Sequence, residues 1–467
     1  MAGTPPPTVA PQTVAPQTHA IPRPSERRIV RPTRRLAWTA PAGWALCGIA
    51  LLAYALAPAV GRSSILGTAV AALAVLVSWP VFSRLGSKFP EVEIAGLLRV
   101  SLGLKLLATL PRFEGREDSV DYFRAGAELA NSFRRLDFTV DTGRSIPGTG
   151  SVRYLTGLVE VLTLEDEFAT FVVFSLFGFI GLVLFLLACR AALPAVDPVR
   201  YALLLMLWPS LVYWPSSIGK ESVVLLGLGM VALGGARLLE GGLRGLALAA
   251  PGLLVVGLVR PHVALIAVTA MVVAVITRAP GRGAAGVVAR VGIVAALVIG
   301  GSVAADSVEA LSDTDGLNPT GLSAALDLVN ARSSQGGSHF EAARIDGLSE
   351  YPWGFVTVIF RPFPHEASSA PMLLTSLEGM LLAGLLITAI PRVMAAVRSI
   401  RDEAYVAYAL SFTIVFVYLF SAMGNFGIIA RQRVMTLPLI LVIVALPTAK
   451  DRIRQRRVAA HESEARS

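Results

Sequence analysis

Runs of about twenty apolar residues recur along almost the whole of this chain, and each is long enough to cross the roughly 30 Å hydrocarbon core of a bilayer. Such a chain has few ways to fold. Backbone in lipid must satisfy its own hydrogen bonds, and no run alternates in the period-two manner of a barrel strand, so helices are the remaining solution. Composition agrees: 54% of the 467 residues are apolar and only 16% are charged, more apolar residue than a water-soluble core of this length uses. The sequence therefore predicts an all-α, polytopic integral membrane helical bundle.

Spanning helices are expected near residues 41–60, 64–83, 94–112, 168–189, 200–214, 222–238, 244–260, 262–278, 284–304, 371–391, 404–423 and 434–448, about twelve in all. Together they make residues 41–448 one membrane domain. The Pro- and Thr-rich residues 1–40 lack apolar periodicity, end in a basic cluster and read as a disordered tail. Residues 41–60 resemble a signal peptide, but the long apolar core and the second run close behind it indicate a retained anchor. Residues 449–467 form a second basic tail. The two tails account for much of the net charge of +9, which reads as a topology signal and not as a nucleic-acid surface. Cys47 and Cys189 lie singly in predicted spans and imply neither a disulfide framework nor a metal site.

The third span carries Arg99 and Lys105 and is the one most open to an interfacial reading. Charge decides for crossing. With twelve spans and a cytoplasmic N-terminus, Arg84, Lys88, Arg190, Arg200, Arg237, Arg244, Arg278, Arg282, Arg290, Arg392, Arg398, Arg401 and both tails fall on the cytoplasmic side. Arg99 and Lys105 then face the bundle interior or snorkel to its edge. The expected location is the cell membrane, multi-pass, with both termini cytoplasmic and two long external loops, residues 113–167 and 305–370.

In that topology the short external turns ought to be poor in cations, yet they hold Lys220, Arg260, Arg431 and Arg433, joined by Arg361 in "FRPFPHE". Cations fixed at an apolar boundary mark binding sites, and guanidinium groups grip phosphate oxygens in pairs. Headgroup anchoring is the simpler reading for Arg260, Arg361, Arg431 and Arg433, and Lys220 can pair locally with Glu221. His262, His365 and Glu366 lie beside these cations, and Glu378 is an acid about two turns into the tenth span. In the first long loop Asp118, Asp121, Tyr122 and Ala125 fall on one side of a helix, placing a carboxylate where it can take a proton from an incoming hydroxyl. Asp118 is also well placed as a helix cap. Asp118 and Asp121 make a divalent cation possible, and no cofactor is otherwise indicated.

These features resemble the GT-C superfamily of membrane glycosyltransferases, on the strength of Asp118, Tyr122, Ala125 and Leu129 in the first long loop. Ser119 stands where the commonest form of that pattern has Glu, and the loop here follows the third span instead of the first. The resemblance implies Asp118 as catalytic base, helped by Asp121 or a histidine. It also implies a polyprenyl-phosphate-linked sugar donor and a glycan or lipid acceptor in cell-envelope polysaccharide biosynthesis. "RPFPHE" and "NFGIIARQR" are more similar to O-antigen polymerases and ligases, which act on polyprenyl diphosphates. In either case Lys220, Arg260, Arg361, Arg431 and Arg433 would hold phosphate, with Tyr122, Glu221, His262, His365, Glu366 and Glu378 in support. A lipid-linked substrate transporter or flippase is the third reading, and it would place its charges near the midplane.

Overall fold

A computed structural model describes residues 36–56, 64–89, 93–115, 118–277 and 338–448, with positions 326, 327, 330, 331, 333 and 451. The expected tails and the span at 284–304 lie outside the described residues, apart from Leu36–Ala40 and Asp451. So does the first part of the 305–370 loop.

Every other expected span overlaps helical structure, one of them as two helices. In chain order these are α1 (Thr39–Leu56), α2 (Ser64–Gly86), α3 (Ile94–Glu114), α4 (Asp118–Arg134), α5 (Thr149–Thr163) and α6 (Glu167–Ala192). α7 (Pro198–Leu207), α8 (Pro209–Tyr213), α9 (Lys220–Leu239), α10 (Leu246–Val259) and α11 (Pro261–Thr277) follow. The last group comprises α12 (Tyr351–Phe360), α13 (Ala370–Thr388), α14 (Ile390–Ser399), α15 (Ala404–Phe420), α16 (Phe426–Gln432) and α17 (Leu437–Ala445). Among the described residues no strand is formed. An isolated bridge joins His339 to Asn425.

Six of these helices are individually long and apolar enough to cross a membrane: α1, α2, α3, α6, α9 and α13. Two further pairs qualify only as bent units, α14 with α15 (114°) and α16 and its extension to Met435 with α17 (57°), bringing the number to eight. The expected twelve included stretches that fold as shorter apolar helices. The 200–214 stretch is broken by Trp208–Pro209 into α7 and α8, because proline lacks the donor a continuous helix needs. Arg99 and Lys105 do not snorkel. Both are buried, Lys105 completely.

The core of the bundle is set by glycine. A Cβ on Gly181 of α6 would run into the Leu225 carbonyl of α9, and one on Gly229 of α9 would lie 2.5 Å from the Gly181 carbonyl oxygen. Only bare backbones can approach so closely. Gly181→Leu is therefore expected to destabilise the bundle at or beyond the top of the usual overpacking range, about 1–3 kcal/mol, since a carbonyl cannot turn aside. Gly48→Ala, which meets nothing within 4 Å, is the neutral control. Thermal unfolding in detergent reads both.

At one end of the bundle α4 and α5 form the amphipathic hairpin of the 113–167 loop. At the opposite end Arg190 Nε donates to the Lys88 carbonyl (3.1 Å), and Arg392 lies 3.6 Å from Asp451.

Candidate functional site

Four helix ends meet beside the α4–α5 hairpin: the starts of α4, α5 and α9 and the finish of α10. Helix α9 starts sharply at Lys220 because Gly219, in fully extended backbone, ends the turn that follows α8. Helix α10 stops at Arg260, where Pro261 opens α11. Gly148 N donates to the Leu258 carbonyl (2.8 Å), which ties the start of α5 to the end of α10. Neither Gly148 nor Gly219 offers a capping side chain, so the first amides of α5 and α9 have no side-chain acceptor.

Five of the expected residues gather there as one charged group. Arg260 donates to Glu221 Oε1 at 2.9 Å, a pair nearly out of water with side chains 8% and 12% exposed. Arg431 of α16 donates to Asp118 Oδ2, also at 2.9 Å, but this pair is open, with Asp118 67% exposed. Lys220 Nζ reaches Thr149 Oγ1 at 3.0 Å and, among the described residues, no carboxylate. The Lys220 amine lies within electrostatic reach of Arg260, Glu221, Asp118 and Arg431. Three cations thus face two carboxylates, leaving one positive charge in excess. Arg260 Nε is buried with no hydrogen-bond partner among the described residues, a donor awaiting an acceptor.

Tyr122 lies one turn along from Asp118. Burial, with Glu221 and Asp118 nearby, pushes the Tyr122 hydroxyl up to about 12, so it stays a hydrogen-bond donor at neutral pH. His262, on the first turn of α11, packs its ring 5.9 Å from that of Phe420 and lies close enough to Arg260 and Lys220 to feel their charges.

Asp121 is held elsewhere. Both of its oxygens accept from Arg153 Nη2 of α5, at 2.7 and 2.8 Å, while Arg153 Nη1 donates to the Thr142 carbonyl. The two acids considered for a divalent cation therefore each face a different arginine, and among the described residues no three His, Cys, Asp or Glu side chains converge as a metal site.

Arg361, Arg433, His365, Glu366 and Glu378 form a second group, joined to the first by the Arg431–Arg433 segment. Arg361 pairs with Glu366, and its guanidinium lies over the rings of Phe340 (4.3 Å) and Phe426 (5.0 Å). Burial works to raise the Glu366 carboxyl, but Arg361 and the Phe363 N–H outweigh it and hold the group below the usual carboxylate range. Arg433 donates to the Arg361 carbonyl and is 3% exposed. His365 stacks on Phe363. Glu378 accepts from Ser210 Oγ, at the break between α7 and α8, and lies within reach of Arg433. Arg361 and Arg433 thus brace the 338–366 segment against α16, although Arg433 keeps a buried Nε with no hydrogen-bond partner among the described residues.

Sequence reasoning missed Thr149, Arg153 and Arg112, which donates to Ser217 Oγ (2.9 Å) in the turn before α9. Their only signal was position, near a helix end on an amphipathic face. No family model matches the chain, nor does any curated protein or solved structure.

Proposed function

We propose that this chain is a multi-pass membrane glycosyltransferase that takes its sugar from a polyprenyl-phosphate-linked donor at the outer face of the cytoplasmic membrane, with both termini cytoplasmic and about twelve spans. One observation carries the reading: Lys220, Arg260 and Arg431 meet Asp118 where the α5 and α9 amides have no capping side chain. Excess positive charge and a helix start without a capping side chain suit a phosphate.

The donor phosphate would lie against Lys220, the free Nε of Arg260 and the first amides of α9. Its negative charge also draws Arg431 off Asp118, leaving both Asp118 oxygens free. Asp118 then takes the proton of the acceptor hydroxyl as that oxygen bonds to the anomeric carbon. The bond from that carbon to phosphate oxygen breaks, and the electron pair leaves with the phosphate. The cations stabilise this growing charge in a water-poor site, a contribution often worth about 3–4 kcal/mol. The acceptor would be a growing envelope glycan or a lipid.

An O-antigen-type polymerase or ligase would need further cations for a second phosphate. Arg361 is already paired with Glu366 and Arg433 already donates to the Arg361 carbonyl, leaving only its buried Nε, which favours a monophosphate donor. One observation favours a transporter or flippase: Lys105 is fully buried in α3 with an amine that has no hydrogen-bond partner among the described residues, beside the turn that precedes α9. Substrate that crosses vesicle membranes with its covalent structure intact would decide for that reading.

The phosphate pocket is tested with the purified protein in nanodiscs and a polyprenyl phosphate. Lys220→Ala removes the excess charge without exposing a buried pair, and is expected to weaken binding roughly tenfold or more. Unchanged affinity would leave the pocket without support.

A further inference from the structure

The contact between α4 and α5 closes over a carboxylic acid. Glu160 of α5 is fully buried, and neither of its oxygens has a hydrogen-bond partner among the described residues. Gly126 of α4 lies directly across. A Cβ at Gly126 would come within 2.5 Å of Glu160 Oε1 and 2.7 Å of Thr156 Cγ2, so the bare α4 backbone rests on the acid. A neutral carboxyl can be held this way at modest cost, whereas a carboxylate without donors cannot.

The charged groups facing it are Arg134 on α4, Glu165 in the turn after α5 and Glu167 in the first turn of α6. Helices α9 and α10, which also touch α5, present none. Arg134 is already bound to Glu165 and points only a long contact (3.4 Å) at the Glu160 main-chain carbonyl. Burial, and then Glu165, dominate and push the Glu160 carboxyl up to about 8.

We propose that Glu160 is a proton-operated positioning residue: its neutral form keeps α4 shut against α5, and loss of the proton parts the helices at Gly126. The reaction is a simple acid dissociation, with the proton passing to water and the carboxylate following it toward solvent. Because the closed-state value lies above the ordinary 4.5, the closed hairpin is favoured most strongly below pH 4.5 and loses that advantage progressively as the pH climbs to about 8. Asp118 and Asp121 stand on the first turn of α4 and move with it. The inference needs only the hairpin, whatever α4 does, and so stands apart from the transferase reading.

Spin labels at Glu128→Cys on α4 and Leu162→Cys on α5, both exposed positions, report the separation of the two helices in the full chain in nanodiscs. Native Cys47 and Cys189 are buried and do not compete for label. Double electron–electron resonance is expected to show one short distance at about pH 6 and a second, several ångströms longer, at about pH 9.5. The midpoint should fall above about pH 6 and no higher than about 8. Glu160→Gln should keep the short distance throughout. Glu160→Leu, carried in parallel in case the amide variant does not fold, should do the same. A wild-type distance distribution that does not change over this range would overturn the proposal, and so would the same shift in either variant.

Discussion

A strain that carries Asp118→Asn in place of the native protein is expected to make none of the glycan product while keeping the folded protein in its membrane. Asparagine retains the size of the side chain and an oxygen for Arg431, so the ion pair becomes an ordinary hydrogen bond and α4 stays in place. What is lost is the capacity to take a proton. General-base catalysis contributes roughly 10²–10⁴-fold, enough to reduce product below detection. Mass spectrometry of lipid-linked and envelope glycans, comparing the deletion strain complemented with wild type or variant, reads the result. Unused lipid-linked donor should accumulate beside the missing product. Undiminished product would remove Asp118 from the chemistry and shift the centre to a histidine or arginine, as the polymerase or ligase reading has it.

The largest effect on stability is expected at the buried pair. Glu221→Leu leaves the Arg260 guanidinium charged and unpaired in a site where it is 8% exposed, and breaking such a pair from one side costs about 3–5 kcal/mol. Replacing both, Glu221→Leu with Arg260→Met, removes the uncompensated charge and should restore most of that loss. The doubly substituted protein would then be folded but unable to bind lipid phosphate. Melting in detergent measures the first two, and phosphate binding in nanodiscs the third. A Glu221→Leu protein as stable as wild type would mean that Arg260 finds another partner and that the pair does not organise this end of the bundle.

Much of the fold is legible in hydropathy alone. Lipid enforces helix wherever a long apolar run occurs, which is why the described helices fall where the runs do. Hydropathy cannot distinguish one long helix from two short ones: "YALLLMLWPSLVY" reads as continuous until Pro209 breaks it, whereas the 114° turn before Ala404 is announced by the charges of Arg401, Asp402 and Glu403. The charges of the site were legible for a related reason. Lys220, Arg260 and Arg431 violate the expected pattern of their turns, and a violated pattern marks a residue without naming its neighbours. Nothing local indicates that Arg431, 313 positions away in the chain, binds Asp118, or that Arg361 is laid over the rings of Phe340 and Phe426. Glu160 was invisible for the opposite reason. It looks like any acid on an amphipathic helix until Gly126 is seen to cover it.

The glycine seam has a bearing on traffic. With Gly181 and Gly229 locking α6 to α9 backbone to backbone, the centre of the bundle is welded shut and offers no gap between these two helices. Helix α13 is its opposite: Leu373, Leu374, Leu377 and Leu381 are bare along its flank, and few of its side chains are enclosed. Under the proposed function, a prenyl tail would lie against α13 instead of between α6 and α9.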